Sequence, residues 1–173
     1  MPSSGWMQIT SRDMGPAKED NYKTLGAAAL GYNQTVAAKS PIDVNLAKQL
    51  NILLSNLGVD VGKIIVDPTT GALGYGLEYT YSIMERFKIA ALRQDDSMTQ
   101  MPLLADVGPE SWKAKEAKAP ASDEPQWGDE MKRGVFWEIL TATSLVIAGA
   151  DVLIMRHPEA IKTVRKVIDS LKG

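Results

Sequence analysis

Residues 64–87 read IIVDPTTGALGYGLEYTYSIMERF. An apolar run stops at Asp67-Pro68. Gly71, Gly74 and Gly76 follow, and apolar residues then recur at helical spacing. The stretch reads as a buried strand, a glycine-rich turn and a helix, one βα unit. The spacing predicts a helix over 77–92 with Tyr79, Ile83, Phe87 and Ala90 inward.

The unit recurs on both sides. QTVAAKSP (34–41) is an apolar run stopped by proline. Asp43 then caps a helix ending at Gly58, with Leu46, Leu50, Leu53 and Leu57 as its expected inner face. PLLADVG (102–108) reads as a third strand, followed by a short helix from Trp112 to Ala119 and the loop APASDEPQWGDE. GVFWEILTATSLVIAG (134–149) is a helix with Val135, Ile139, Ala142 and Val146 on one face. DVLIM (151–155) is a fourth strand. The last helix spans 158–171, with Pro158 in its first turn and Ile161, Val164, Ile168 and Leu171 inward. A helix capped by Asp20 and ended by Gly31 precedes the series. Residues 1–16 read as irregular, apart from a possible short strand, MQITS (7–11). Residues 17–173 read as one domain.

Strands apolar on both faces that alternate with helices argue for an α/β fold with a parallel sheet. Two architectures fit: an open doubly wound sheet, or part of an eight-stranded barrel.

Composition narrows the function. The chain has 173 residues, a net charge of −2, no cysteine and one histidine, His157. A net charge near zero gives no broad electrostatic case for nucleic acid. Thiolate metal sites, disulfides and an iron–sulfur cluster ligated by this chain are excluded. One histidine cannot build a multi-histidine metal site. No apolar run approaches a membrane span, and the N-terminus lacks a secretion signal's apolar core, so a cytoplasmic location is expected.

Both architectures place ligands at the carboxyl ends of the strands. Here those ends are Lys39-Ser40-Pro41, Asp67-Pro68 with the 69–76 turn, Asp106-Val107-Gly108 and Arg156-His157-Pro158. Each puts polar residues beside proline or glycine. The glycine turn matches neither a P-loop nor the dinucleotide pattern G-x-G-x-x-G. Asp67 can act as an acid or base, or merely cap its turn. Lys39 admits a Schiff-base role but has no evident acid–base partner. Arg156 at a helix start can pair with an anion. Trp112, Trp127 and Trp137 suit core or interface positions.

Five segments together resemble one family: EDNYKTL, AKSPIDVNLAKQLNILL, IIVDPTTGALGYGLEYTYSIMERFKIAAL, SWKAKEAKAPASDEPQWG and WEILTATSLVIAGADVLIMRHPEA. They are similar, in order, to the small subunit of the corrinoid iron–sulfur protein, the delta subunit of CO dehydrogenase/acetyl-CoA synthase. The similarity covers residues 17 to 171.

The resemblance implies an eight-stranded βα barrel of which this chain matches the C-terminal half. Four strands cannot close such a barrel. A fragment of a longer product, a separately encoded first half, or pairing of two copies would each account for that. It further implies a corrinoid shared with a large subunit that carries the iron–sulfur cluster, and transient partners in a pterin methyltransferase and acetyl-CoA synthase. The chain would then be a scaffold and half of a corrinoid pocket, holding no metal or cluster itself. The alternative is a barrel methyltransferase that binds methylated pterin through Asp67 or Asp106.

The family's glycine-rich loop matches Asp67 through Gly76, and its last-strand motif matches Met155 through Ala160. Expected pocket residues are therefore Asp67, Gly71, Gly74, Tyr75 and Gly76 on the loop. Arg156 and His157 join them from the last strand, and Ser40, Asp106 and Gly108 from the other strand ends. MRHPEA lacks the D-x-H-x-x-G setting of a cobalt-ligating histidine, so His157 is not expected to bind cobalt.

Overall fold

A computed structural model describes residues 15–171. The possible strand at 7–11, and all but the last two residues of the segment read as irregular, lie outside them. The elements follow the expected order. They are α1 (Tyr22–Gly31), β1 (Val36–Lys39), α2 (Val44–Asn56), β2 (Ile64–Asp67) and α3 (Leu77–Arg93). Then come β3 (Leu104–Ala105), α4 (Val107–Ser111), α5 (Lys115–Lys118), α6 (Glu130–Ala148), β4 (Val152–Leu153) and α7 (Pro158–Leu171).

β1 pairs in parallel with β2, and β3 with β4. Parallel bridges join Val66 to Leu103 and Ala17 to Ala38. The strands therefore lie side by side in chain order, with residue 17 at one edge and β4 at the other. One strand face, Val36, Ala38, Ile64, Val66, Leu103 and Ala105, packs into a single core. Leu25, Leu54, Phe87, Leu145 and Val164, from α1, α2, α3, α6 and α7, share that core. The long helices thus cover one face of the sheet. A doubly wound sheet would carry helices on both. The alternate residues Ala37, Ile65 and Leu104 are buried on the other face.

The strands are shorter than their apolar runs suggested. After Ala105 the chain turns at once into α4, so the third strand ends before Asp106. The helix expected over 112–119 is broken, with Trp112 closing α4 and α5 starting only at Lys115. Asn21, not Asp20, precedes α1. α6 begins four residues earlier than expected because the Asp129 carboxylate caps it through the Lys132 amide. Asp43 and the left-handed Gly58 bound α2 as expected.

Several inner faces are rotated from the expected ones. α2 buries Ala47, Leu50, Asn51 and Leu54, leaving Leu46 and Leu57 exposed. Asn51 can be buried because its amide donates to the Met98 carbonyl. α3 buries Thr80 rather than Tyr79, which is exposed. The Thr80 hydroxyl accepts from the Gly71 amide and donates to the Thr69 carbonyl. α6 buries Glu138, Thr141, Ala142 and Leu145, while Val135, Ile139 and Val146 are only half-buried. α7 buries Ala160 and Val164, and Ile161 and Leu171 lie exposed. No helix among the described residues is long and apolar enough to cross a membrane.

Candidate functional site at the strand ends

Parallel pairing in chain order brings the carboxyl ends of β1, β2 and β3 to one rim. Lys39 and Asp67 are direct register partners. Their side chains form an ion pair at 3.2 Å, with Asp67 nearly buried and Lys39 about one-third exposed (7% and 31%). The second Asp67 oxygen accepts from the Thr69 amide at 2.9 Å, which folds the chain sharply after β2. Thr69 sits at positive φ and donates its hydroxyl to the Ser40 carbonyl. Ser40 is buried, and its own hydroxyl oxygen has no hydrogen-bond partner. It lines a hollow of roughly 410 Å³ together with Lys18, Lys39, Pro41 and Thr69.

Asp106 joins this rim from β3. Its amide donates to the Thr70 hydroxyl at 2.8 Å. Burial pushes its carboxyl above the usual range, and the negative charge of Asp67 adds to that push. Lys39 and Lys113 act in the opposite direction. Lys113 is itself paired with Glu110 at 2.6 Å. The rim therefore carries an acid biased toward its neutral form beside a buried carboxylate tied to a lysine. Such a set can donate and accept hydrogen bonds to one ligand.

The glycine turn leans on α6. Trp137 donates its indole N–H to the Leu73 carbonyl, and the Leu73 amide donates to the Thr141 hydroxyl. Ala72 closes the base of the turn through bonds from Tyr75 and Leu77. Two glycines have different reasons. A Cβ on Gly71 would stand 2.5 Å from Gly76 backbone atoms. Gly76, at φ 93°, supplies the left-handed residue that starts α3. Gly74 lies beside Trp137, and Tyr75 reaches outward, its hydroxyl donating to Glu116. Several amides of the turn are thus taken by internal acceptors rather than held open for an anion.

At β4, Gly108 lets α4 pack against the backbone of Met155 and Arg156. The Arg156 guanidinium lies 5.3 Å from the Trp112 ring centre, and the His157 ring stacks on the same indole. His157 Nδ1 accepts from the Glu159 amide, a role inside the α7 start. Sequence reasoning missed the residue that organises this corner. Glu138 of α6 is fully buried. Its carboxylate accepts from the Trp112 indole at 2.7 Å and from the Arg156 and His157 amides. A lone acid inside an apolar helix was the available signal. The expected pocket residues thus fall into two groups, the Ser40–Asp67–Asp106 rim and the Gly108–Arg156–His157 corner, with the glycine turn fixed to α6 through Trp137 and Thr141. Among the described residues, no group of three acids and histidines is placed to hold a metal ion.

The model of the CO dehydrogenase/acetyl-CoA synthase delta subunit family matches residues 14–168. The chain is 39% identical over 157 residues to acetyl-CoA decarbonylase/synthase complex subunit delta 1 of Methanosarcina thermophila, covering 88% of this chain and 36% of that protein. It is 34% identical to the delta subunit of Archaeoglobus fulgidus, covering 88% and 34%. The chain thus spans about a third of the length of the curated relatives it matches. Among solved structures, a Yersinia pestis DHPS with a pterine-sulfa conjugate matches with a TM-score of 0.54 at 12% identity, over 89% of this chain and 56% of that one. A dihydropteroate synthetase with Product1 matches with a TM-score of 0.55 at 13% identity, over 86% and 56%. These two likenesses concern the fold.

Proposed function

The chain belongs to the CO dehydrogenase/acetyl-CoA synthase delta subunit family, and on that premise we propose that it is a scaffold and pocket-forming part of a corrinoid methyl carrier. Its four βα units form part of an eight-stranded barrel, the C-terminal half. Its rim faces a corrinoid shared with a large subunit, and the complex works with a pterin methyltransferase and acetyl-CoA synthase in the cytoplasm. When bound, the corrinoid would supply a cobalt able to carry a methyl group.

The observation that carries this reading is the rim. Ser40 buries a hydroxyl without a partner beside the ion-paired Lys39, and Asp106, its carboxyl pushed up by burial, ends the third strand of the same rim. A corrin ring is fringed with amide side chains, which need such donors and acceptors. Ser40 and Asp106 would bind and orient that fringe. The Gly71–Gly76 turn, braced by Trp137, and Arg156 at the β4 end would shield the ring's edge from water.

Co-expression with the corrinoid iron–sulfur large subunit, purification through a tag on this chain and an absorption spectrum test the reading. Corrinoid bands in a stoichiometric complex are expected, weakened by Asp106→Asn together with Ser40→Ala. A stoichiometric complex without corrinoid bands, or bands indifferent to both substitutions, would refute the pocket role.

One observation favours a second reading, a methyltransferase acting directly on methylated pterin. Asp67 and Asp106 lie close enough for the charge of one to disfavour that of the other. Two strand-end carboxyls on one rim suit the alternating N–H and N groups of a pterin edge. Calorimetric titration of the folded chain with a methylated pterin, and a methyl-transfer assay with free corrinoid, check it. No heat and no transfer above background would remove it.

A further inference from the structure

α6 is built like a buried helix, yet one side of it faces solvent. Between Gly134 and Ala150 the only charged residue is Glu138, which is fully buried. Phe136, Leu140 and Ile147 are 60%, 51% and 62% exposed. They stand four and seven residues apart, with the half-buried Thr143 between Leu140 and Ile147, the spacing by which two helices pack side by side at a shallow angle. An ordinary surface helix carries charge on its outer face, as α7 does with Lys162, Arg165, Lys166 and Asp169.

Completing the sheet would not cover this seam. Further βα units add at the sheet edges, beside Ala17 or β4. α6 stands between α3 and α7, packed against both. A cover for it has to come from outside the sheet.

We infer that the Phe136–Leu140–Ile147 seam is a docking face for an apolar, uncharged helix of another subunit of the acetyl-CoA decarbonylase/synthase complex. The inference rests on the complex membership of the family, not on the corrinoid pocket. Charge selects the partner's chemistry. A charged side chain laid on this seam would be desolvated with no counter-charge in reach. Polar groups stand at both ends, Asp129, Glu130 and Lys132 at one and the Lys88–Asp151 ion pair at the other. An apolar strip with a charged rim is the anatomy of a protein interface.

The test uses co-expression with the other subunits of that complex and recovery through a tag on this chain. Three variants are compared: Leu140→Glu, Phe136→Ser and Leu46→Glu, the last an exposed leucine on α2. The expected result is a roughly tenfold or greater loss of a co-purifying subunit for the two α6 variants. Leu46→Glu should match wild type, and all three isolated chains should melt as wild type does. Full subunit recovery with Leu140→Glu and Phe136→Ser overturns the inference. So does a wild-type chain that recovers no subunit, or one that forms a dimer which Leu140→Glu dissolves, because a second copy then occupies the seam. Subunit recovery without corrinoid bands would instead refute the pocket reading and leave this one intact.

Discussion

The Trp112 indole N–H lies 2.7 Å from a Glu138 carboxylate oxygen, and that carboxylate also receives the backbone amides of Arg156 and His157. One buried side chain thus joins α4, α6 and the start of α7. It also does at the α7 N-terminus what a capping residue ordinarily does.

Glu138→Ala should therefore be among the most damaging single changes in the chain. It leaves three donors unpaired in the interior, at about 1–3 kcal/mol for each one that water does not reach. A loss of about 3 kcal/mol or more in urea unfolding is expected. Glu138→Gln keeps the shape and one acceptor, and should lose about half as much. Glu85→Gln on the exposed side of α3 should be neutral. A Glu138→Ala variant as stable as wild type would show that these donors find other partners.

The same residue shows where sequence reading stops. Element order and the strand ends were legible, because apolar runs, proline stops and glycine turns mark them locally. The inner faces of the helices were less so. Asn51, Thr80, Glu138 and Thr141 are buried because each meets a partner distant in sequence: Met98, Gly71 and Thr69, Trp112, and Leu73. Periodicity counts polar residues as outward, so each such pairing rotates the true face away from the expected one. Leu46 and Tyr79, both expected inward, are exposed as a consequence. Asp67 and Asp106 were legible as strand-end acids, whereas the effect of Asp67 on Asp106 needed the register of three strands.

Within the glycine turn, Gly71 and Gly74 should respond differently to alanine. At Gly71 the new methyl would meet Gly76 backbone at 2.5 Å, which no rotamer change relieves. A loss of about 2–3 kcal/mol is expected, as for an overpacked core. At Gly74 the nearest atom is the Trp137 ring at 3.9 Å, so only the positive φ opposes alanine, at about 1 kcal/mol. Thermal melts of the two variants check the order. Equal losses would mean that the turn relaxes as a unit.

Lys39 and Asp67 should be energetically coupled, but modestly. Lys39 keeps about a third of its side chain in solvent (31%), which screens the pair. A double-mutant cycle with Lys39→Met and Asp67→Asn should give about 1 kcal/mol of coupling, shrinking with added salt. Coupling indistinguishable from zero at low salt would mean that the Thr69 amide alone holds Asp67.

Asp106 gives the rim a pH dependence whose sign follows from its surroundings. Its folded-state carboxyl lies above the ordinary value of 3.8, first because it is buried and next because Asp67 is near. Ionising it therefore costs folding free energy. The stability tied to the protonated acid is whole below the unfolded value, and is lost as pH rises through the raised folded value. Asp106→Asn, neutral at every pH, escapes that loss. The variant should be more stable than wild type near about pH 7, and the gain should shrink toward about pH 4, as the wild-type acid takes up its proton. Lys39→Met should enlarge the gain, because the Lys39 charge does most to hold the Asp106 carboxyl down. Urea midpoints of wild type, Asp106→Asn and both Lys39 backgrounds, taken at the two pH values, read all of this at once. A gain independent of pH would trace the effect to packing at Thr70 rather than to charge. A loss at neutral pH would mean that the ionised carboxylate has a partner on the rim stronger than Lys39.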